Sequence, residues 1–224
     1  MCIKHAKYFH FFEKYSYEQA DTIGLMSEKN MALFESIYKG YSCHVLMNWA
    51  KMKPFQKNNT ISYRKNLGLE NKVIYFYGGN IGSAQDMLNL MRLVKGMQSI
   101  KDAHFLFVGQ GDEVSLIKQF SVEWNLSNFT YLPSINQNEF KCLLSEIDIG
   151  LFSLAANHTA HNFPGKLLGY MVESIPILGS VNLGNDLLDM INVHNAGIVY
   201  INGDDDALLQ SAKDLYFNKQ LRKD

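Results

Sequence analysis

VIYFYGGNIGSAQDMLNLMRLVKGM, residues 73–97, is the stretch on which the fold turns. It opens on five apolar or aromatic residues, Val73 to Tyr77, with no polar alternation. A short run of that kind reads as a strand buried on both faces. Gly78, Gly79 and Gly82 then permit a tight turn, and from residue 83 to 97 the apolar side chains of Met87, Leu90, Met91 and Val94 recur at helical spacing. A doubly buried strand that runs through glycines into an amphipathic helix is a βα unit. It needs parallel neighbours and helices on both sides of the sheet.

The same pattern repeats outward. Strand-like runs stand at HFLFV (104–108), FTYL (129–132), IGLF (149–152), IPIL (175–178) and GIVY (197–200), with helical patterns over 112–124, 137–146, 164–172 and 204–221. Upstream, TIGLMS (22–27) and HVLM (44–47) add two more strands. The class is α/β, a doubly wound, Rossmann-like parallel sheet. Between the two groups, KMKPFQKNNTISYRKNLGL (51–69) turns polar and loses periodicity, which reads as a linker. Residues 1–50 are then a helix, strand, helix, strand piece, too small to cover both faces of a sheet and so the remnant of a second domain. Residues 70–224 form the main one.

Composition removes several function classes. In 224 residues, 47% are hydrophobic and the net charge is −1, with no dense Lys/Arg block, so no nucleic-acid partner is expected. Cys2, Cys43 and Cys142 are odd in number and far apart, as in a reduced cytosolic protein. MCIKHAKYFHFFEKYSYEQAD lacks the apolar core of a signal peptide, and no apolar run is long enough to span a bilayer. Membrane contact is at most peripheral.

In open α/β sheets ligands bind beyond the carboxyl ends of the strands. The loop Gly79 to Gly82 follows the strand at 73–77, and a helix starting near Ser83 would turn free N–H groups toward a phosphate. GGNIG matches neither a dinucleotide fingerprint nor a P-loop, so a plain βα turn stays open. VGQGDE (108–113) follows the next strand, where Asp112 either caps its helix or meets a substrate. NHTAHNFPGKLLGYM (157–171) puts Pro164 in a first helical turn and Lys166 beside it. A lysine there opposes the helix dipole, so it either extends into solvent or meets a bound anion. His158 and His161 are three apart, but no Glu or Cys stands nearby as a third ligand, so no metal site is expected.

The order YGGNIG, HFLFVGQGDE, NFTYLPSI, SEIDIGLFSL and FPGKLLGYMVESIPILGS resembles the C-terminal, donor-binding half of retaining GT-B glycosyltransferases (group 1, family 4-like). It is most similar to the bacterial branch that builds O-antigen, lipopolysaccharide, capsule and other surface polysaccharides. ADTIGLMSEKNM and HVLMNWA look like that family's last N-domain strand and the entry to its interdomain linker. The resemblance runs from about Ala20 to the end, and the order of the motifs is more specific than any one of them.

That resemblance implies two Rossmann-like domains facing across a cleft. The second holds the nucleotide-sugar, expected to be UDP-linked and a substrate rather than a cofactor; the first holds a lipid-linked or saccharide acceptor. On this reading the chain is the C-terminal part of such an enzyme, with about one further domain's worth of residues expected ahead of Met1. The family's diphosphate contacts fall on Gly79, Asn80, Gly82 and Gln85 and on Phe163, Pro164, Gly165, Lys166 and Leu167. Its nucleobase contacts fall on Gly109, Gly111 and Asp112 and on Leu132, Pro133 and Ile135. The family's paired glutamates align with His161 and Gly169, and its Arg and Lys with Asn80 and Gln85, so four charged groups are replaced here. His161 and Lys166 remain as candidates for a catalytic role. The expected behaviour is nucleotide binding with little or no transfer by this chain alone.

Two other classes stay open. The chain is an assembly module if Tyr8, Phe9, Phe11, Phe12, Tyr15 and Tyr17 form a surface for a separately encoded N-terminal half or a second copy; in the plainer reading they pack on their own domain. A nucleotide-sugar epimerase of similar architecture would need a carboxylate and histidine pair that the sequence does not place. The expected location is the cytoplasm, with peripheral contact at the inner face of the membrane.

Overall fold

The computed structural model of the protein describes residues 3–55, 62–158 and 163–223. Its contacts divide the chain into two compact units, Met1–Trp49 and Ala50–Asp224.

The first unit runs α1 (Ile3–Glu18), β1 (Ile23–Leu25), α2 (Glu28–Ile37) and β2 (Cys43–Val45). β1 and β2 pair in parallel with Ile23 opposite Cys43, and Ser27 caps α2 by accepting the Asn30 N–H. Tyr17 packs edge-on against Phe34 at 5.0 Å and against Tyr38 at 5.1 Å. Tyr8, Phe9, Phe11, Phe12 and Tyr15 remain exposed. The expectation that all six aromatics pack on their own domain therefore holds for Tyr17 only, because α2 and a two-stranded sheet cover too little of α1.

The second unit runs α3 (Tyr63–Asn66), β3 (Val73–Asn80), α4 (Met87–Gly96), β4 (Ala103–Gln110), α5 (Val114–Glu123), β5 (Phe129–Leu132), α6 (Gln137–Leu144), β6 (Ile149–Ser153), α7 (Lys166–Val172), β7 (Ile177–Val181), α8 (Leu187–Val193), β8 (Gly197–Ile201) and α9 (Asp205–Phe217). The sheet is parallel, in the order β5-β4-β3-β6-β7-β8. Alternate side chains of β3 feed opposite cores. Tyr75 and Tyr77 join α4, α5 and α9 on one face, while Ile74 and Phe76 join α6, α7 and α8 on the other. Right-handed crossovers leaving β3 and β6 in opposite directions place the helices this way and open a crevice between those two strands.

Several boundaries differ from the sequence reading, each for a local reason. The helix expected from residue 83 is a 3-10 turn, Ser83–Gln85, followed by α4; Asp86, at φ 46°, breaks the path and caps α4 through the Asn89 N–H. β7 starts at Ile177, two residues late, since Pro176 has no N–H for the ladder. α7 starts at Lys166 rather than residue 164, and α9 ends at Phe217 rather than 221. Helix α8 has no counterpart in the sequence reading; its seven residues hold too little periodicity to separate it from the Asn- and Gly-rich turns around it.

Residues 62–69, read as the end of the linker, are built into the second unit. The Arg64 guanidinium donates to Asp148 (2.5 Å), to the Glu146 carbonyl (2.5 Å) and to the Lys72 carbonyl (2.7 Å), and Asp148 also accepts the Ile74 N–H at 2.8 Å. Leu69 lies buried in the core beside Ile74. Among the described residues no helix is long and apolar enough to cross a membrane.

Candidate functional site

The crevice lies where β3 and β6 pair and their crossovers part. Its described walls are the end of β3 with the turn that follows, Gly79 to Gln85, and, after β6, residues 154–158 and 163–166. The Ala155 N–H donates to the Ala84 carbonyl at 3.0 Å, which holds the loops together.

A polar network missed by the sequence reading braces the ends of these strands. Buried Asn89, in the first turn of α4, donates to Ser153 at 3.0 Å and to Ser180 at 2.6 Å, residues that stand opposite each other in the β6–β7 register. Asn202 donates to Asp86 at 3.0 Å and to the Leu154 carbonyl at 2.8 Å, and Asn182 to the His158 carbonyl at 2.8 Å. The signal was present: IGLFS and ILGS each close an apolar strand on a serine. Such a network, buried and satisfied, fixes loop position.

Lys166, the first residue of α7, reaches into the crevice. Its Nζ lies 3.5 Å from the centre of the Tyr77 ring and 3.7 Å from where a Gly79 Cβ would stand. Gly79 adopts φ +117°, a conformation that favours glycine. Tyr77 is fully buried beneath it and donates its hydroxyl to the Asn80 carbonyl. Among the described residues Lys166 has no carboxylate partner, and burial pulls its pKa down from 10.5 to about 7. The solvent-exposed alternative for this lysine is therefore not what the fold builds.

A stability consequence follows with a defined sign. The unfolded chain holds this proton to about pH 10.4, the folded one to about 7, so between these values the unfolded state binds the extra proton. Lys166 thus makes folding more favourable as pH rises from about 7 toward 10. Wild-type melting temperature is expected to gain on that of Lys166→Met between pH 6.5 and 9. Parallel melting curves across that range would show that the ammonium is solvated.

The other expected contacts divide. Asn80 donates to Gln85 at 2.8 Å, and Asp112 leans over Gly82, so these four share one end of the crevice. Asp112 does not cap α5; Glu113 holds that position without a side-chain cap, and its carboxylate takes the Met87 N–H at 3.2 Å. With the Asn89 N–H also taken by Asp86, the start of α4 has fewer free donors for a phosphate than the sequence reading assumed. Gly109 and Gly111 serve backbone packing: a Cβ at Gly109 would stand 1.8 Å from the Gly79 carbonyl oxygen, and one at Gly111 2.1 Å from that of Ile81. Leu132 pairs with Val108 in the ladder, and it and Ile135 are half-buried beside exposed Pro133.

Phe163 and Pro164 are half-buried at the mouth of the crevice, and Gly165 is exposed with open space where a Cβ would go. Leu167 is a correction: its side chain is fully buried in the core and its N–H is taken by the Pro164 carbonyl at 3.1 Å, so it has nothing for a ligand. Gly169 lies a turn further on, facing Leu144 of α6; a Cβ there would meet Leu144 Cδ1 at 3.2 Å. His161 lies outside the described residues. Among the described residues no group of three His, Cys, Asp or Glu side chains is placed to hold a metal ion.

No family model matches the chain. It is similar to a probable glycosyltransferase, WbjE, of Pseudomonas aeruginosa, 24% identical over 126 residues, which are 56% of this chain and 31% of that protein. Among solved structures it is similar to Staphylococcus aureus TarM in complex with fondaparinux, alpha-GlcNAc-glycerol and UDP (TM-score 0.74, 13% identity, 94% of this chain and 40% of that one). It is also similar to WaaG, a glycosyltransferase involved in lipopolysaccharide biosynthesis (TM-score 0.72, 16% identity, 89% of this chain and 55% of that one). The chain thus spans about a third of the curated relative and about half, or less, of these structures. Its second unit has the Rossmann-like fold of one half of a GT-B glycosyltransferase.

Proposed function

We propose that the chain is the donor-binding part of a glycosyltransferase of the retaining GT-B kind, acting in bacterial surface polysaccharide biosynthesis. In this reading the crevice between β3 and β6 takes the diphosphate of a UDP-sugar. Residues 70–224 are the donor domain, 51–69 the interdomain linker, whose end at 62–69 is packed into that domain, and 1–50 a remnant of the acceptor-side domain. A lipid-linked or saccharide acceptor is brought by an N-terminal half that covers the exposed aromatic residues of α1. The complex works in the cytoplasm, peripheral to the inner face of the membrane.

The observation that carries the donor site is Lys166, an ammonium withdrawn from water over the Tyr77 ring, with no carboxylate partner among the described residues and pointed at the Gly79 loop. Burying a cation is costly, and the cost falls when an anion arrives. UDP in the TarM complex and the glycosyltransferase relative support the choice of anion. The chain binds a nucleotide-sugar and by itself transfers little: with one lysine facing the diphosphate, it has few groups to stabilise a developing negative charge on the leaving group. Isothermal titration with UDP-, GDP- and dTDP-sugars is expected to give saturable heat for the UDP-sugar. No heat with any of the three at millimolar concentration would remove the reading.

A further inference from the structure

Asn202 stands directly after β8, the third strand along from β3 in the sheet. Its side chain is buried, and its amide nitrogen donates twice, to Asp86 Oδ2 at 3.0 Å and to the Leu154 carbonyl at 2.8 Å. Asp86 closes the turn that leaves β3, and Leu154 is the first residue beyond β6, so one amide holds both walls of the crevice. Asn202 is itself anchored: its backbone N–H donates to the Val181 carbonyl at 2.8 Å, and α9 starts at Asp205 behind its Asp204 cap. On the other side Asp86, Asn89 and Arg92, spaced by three, tie the first turns of α4 to separate elements. Asn89 bonds Ser153 and Ser180, and Arg92 makes a two-pronged ion pair with Asp205 at 2.5 and 3.1 Å.

We propose that Asn202 is a positioning residue for the donor site, its single amide fixing the separation of the two walls between which the diphosphate binds. The inference rests on the donor-site reading and adds a residue that acts through both walls rather than on the ligand. The need for it lies in the sheet. β3 pairs with β4 as far as Asn80 and Gln110, but with β6 only through Tyr75 with Ile149 and Phe76 with Gly150. Where that short ladder ends, the Tyr170 hydroxyl spans the Phe76 and Leu151 carbonyls at 3.3 and 3.1 Å. Beyond this point no β3–β6 ladder sets the spacing, and the walls are tied by the Ala155 N–H on the Ala84 carbonyl and by Asn202. Spacing matters to a diphosphate because its expected contacts are split, Lys166 on one wall and the Gly79 turn on the other. A charged contact weakens with distance, so a wall that drifts outward loses part of it. A buried network with every member satisfied holds such a spacing, whereas loss of one donor leaves an acceptor unpaired and its wall free to move.

The probe is UDP-glucose, whose diphosphate does not titrate near neutral pH, followed by titration calorimetry. Asn202→Leu keeps the shape of the side chain and removes both donors, and it is expected to bind about two- to thirtyfold more weakly than wild type. The Ala155 N–H should exchange faster with solvent in that variant, with no ligand present. Asn192→Leu is the control for a general loss of stability: Asn192 also makes two hydrogen bonds to β8, both to the Val199 backbone and away from the crevice, so this variant should melt earlier and bind as wild type does. A charge swap tests the contact itself. Asn202→Asp sets two carboxylates against each other and should weaken binding, while the double variant Asn202→Asp with Asp86→Asn restores the link with its donor reversed and should recover affinity over the single one. Asn at position 86 still accepts the left-handed φ of 46° and still caps α4. Wild-type affinity in Asn202→Leu, an equal loss in Asn192→Leu, or additive losses in the double variant overturn the positioning role and leave the donor site standing. No binding by wild type overturns the donor site, and the positioning role with it.

Discussion

Lys166→Met is expected to weaken UDP-glucose binding by about ten- to a hundredfold and to leave the unliganded protein no less stable. The two halves have one cause. The Lys166 ammonium sits 3.5 Å over the Tyr77 ring, with no carboxylate beside it among the described residues, so the unliganded fold carries a desolvated charge. Methionine keeps the unbranched length, removes that cost and gives up a cation–π contact of about 0.5–2 kcal/mol. A bound diphosphate meanwhile loses a charged contact of about 1.5–3 kcal/mol. Affinity also depends on pH. Lys166 begins to lose its proton near pH 7, and the anion binds the protonated form, so UDP-glucose binding should weaken from pH 6 to 8.5 in wild type and stay flat in the variant. Titration calorimetry beside thermal melts reads both. A variant that melts early and binds normally would make Lys166 a structural residue.

Gly109→Ala is expected to destabilise the second unit by about 3 kcal/mol or more. A Cβ at that position would stand 1.8 Å from the Gly79 carbonyl oxygen. No rotamer relieves this, because the obstacle is backbone in the neighbouring strand, held by the β3–β4 ladder in which Gly79 and Gly109 are partners. The two strands separate at their carboxyl ends or the variant does not fold. Gly165→Ala is the contrast: its φ is −59° and nothing lies within 4 Å of the added atom, so stability should move by no more than about 0.5 kcal/mol. Urea unfolding of the pair decides the point. A Gly109→Ala curve matching that of Gly165→Ala would mean that the β3 and β4 ends lie further apart than described.

Periodicity alone made most of the architecture legible. Val73 to Tyr77 are apolar throughout because every side chain meets a core, Tyr75 and Tyr77 on one face and Ile74 and Phe76 on the other. That follows from strand alternation and burial, which act on any chain with this pattern. Lys166 was legible as well, since a lysine opening a helix gains nothing from the dipole and so needs another partner. Element ends were less so. Asp86 breaks the helix expected from residue 83 because Asn202, from the far end of the sheet, holds its carboxylate. Leu167 looked like part of the site from its neighbours in sequence, yet α7 turns it into the core a fraction of a turn from Lys166.

What residues 73–97 and their repeats determine without help is a parallel sheet, covered on both faces, with loops at one end, because buried strands need neighbours and amphipathic helices need a surface. What they leave open is which loop groups meet. Asn89 with Ser153 and Ser180, Arg64 with Asp148, and Asp112 above Gly82 are joined across 30 to 91 positions, and no local pattern encodes such distances. The strand order β5-β4-β3-β6-β7-β8 brings them together. The crevice, with Lys166 and Asp112 facing it, exists only once that order has formed.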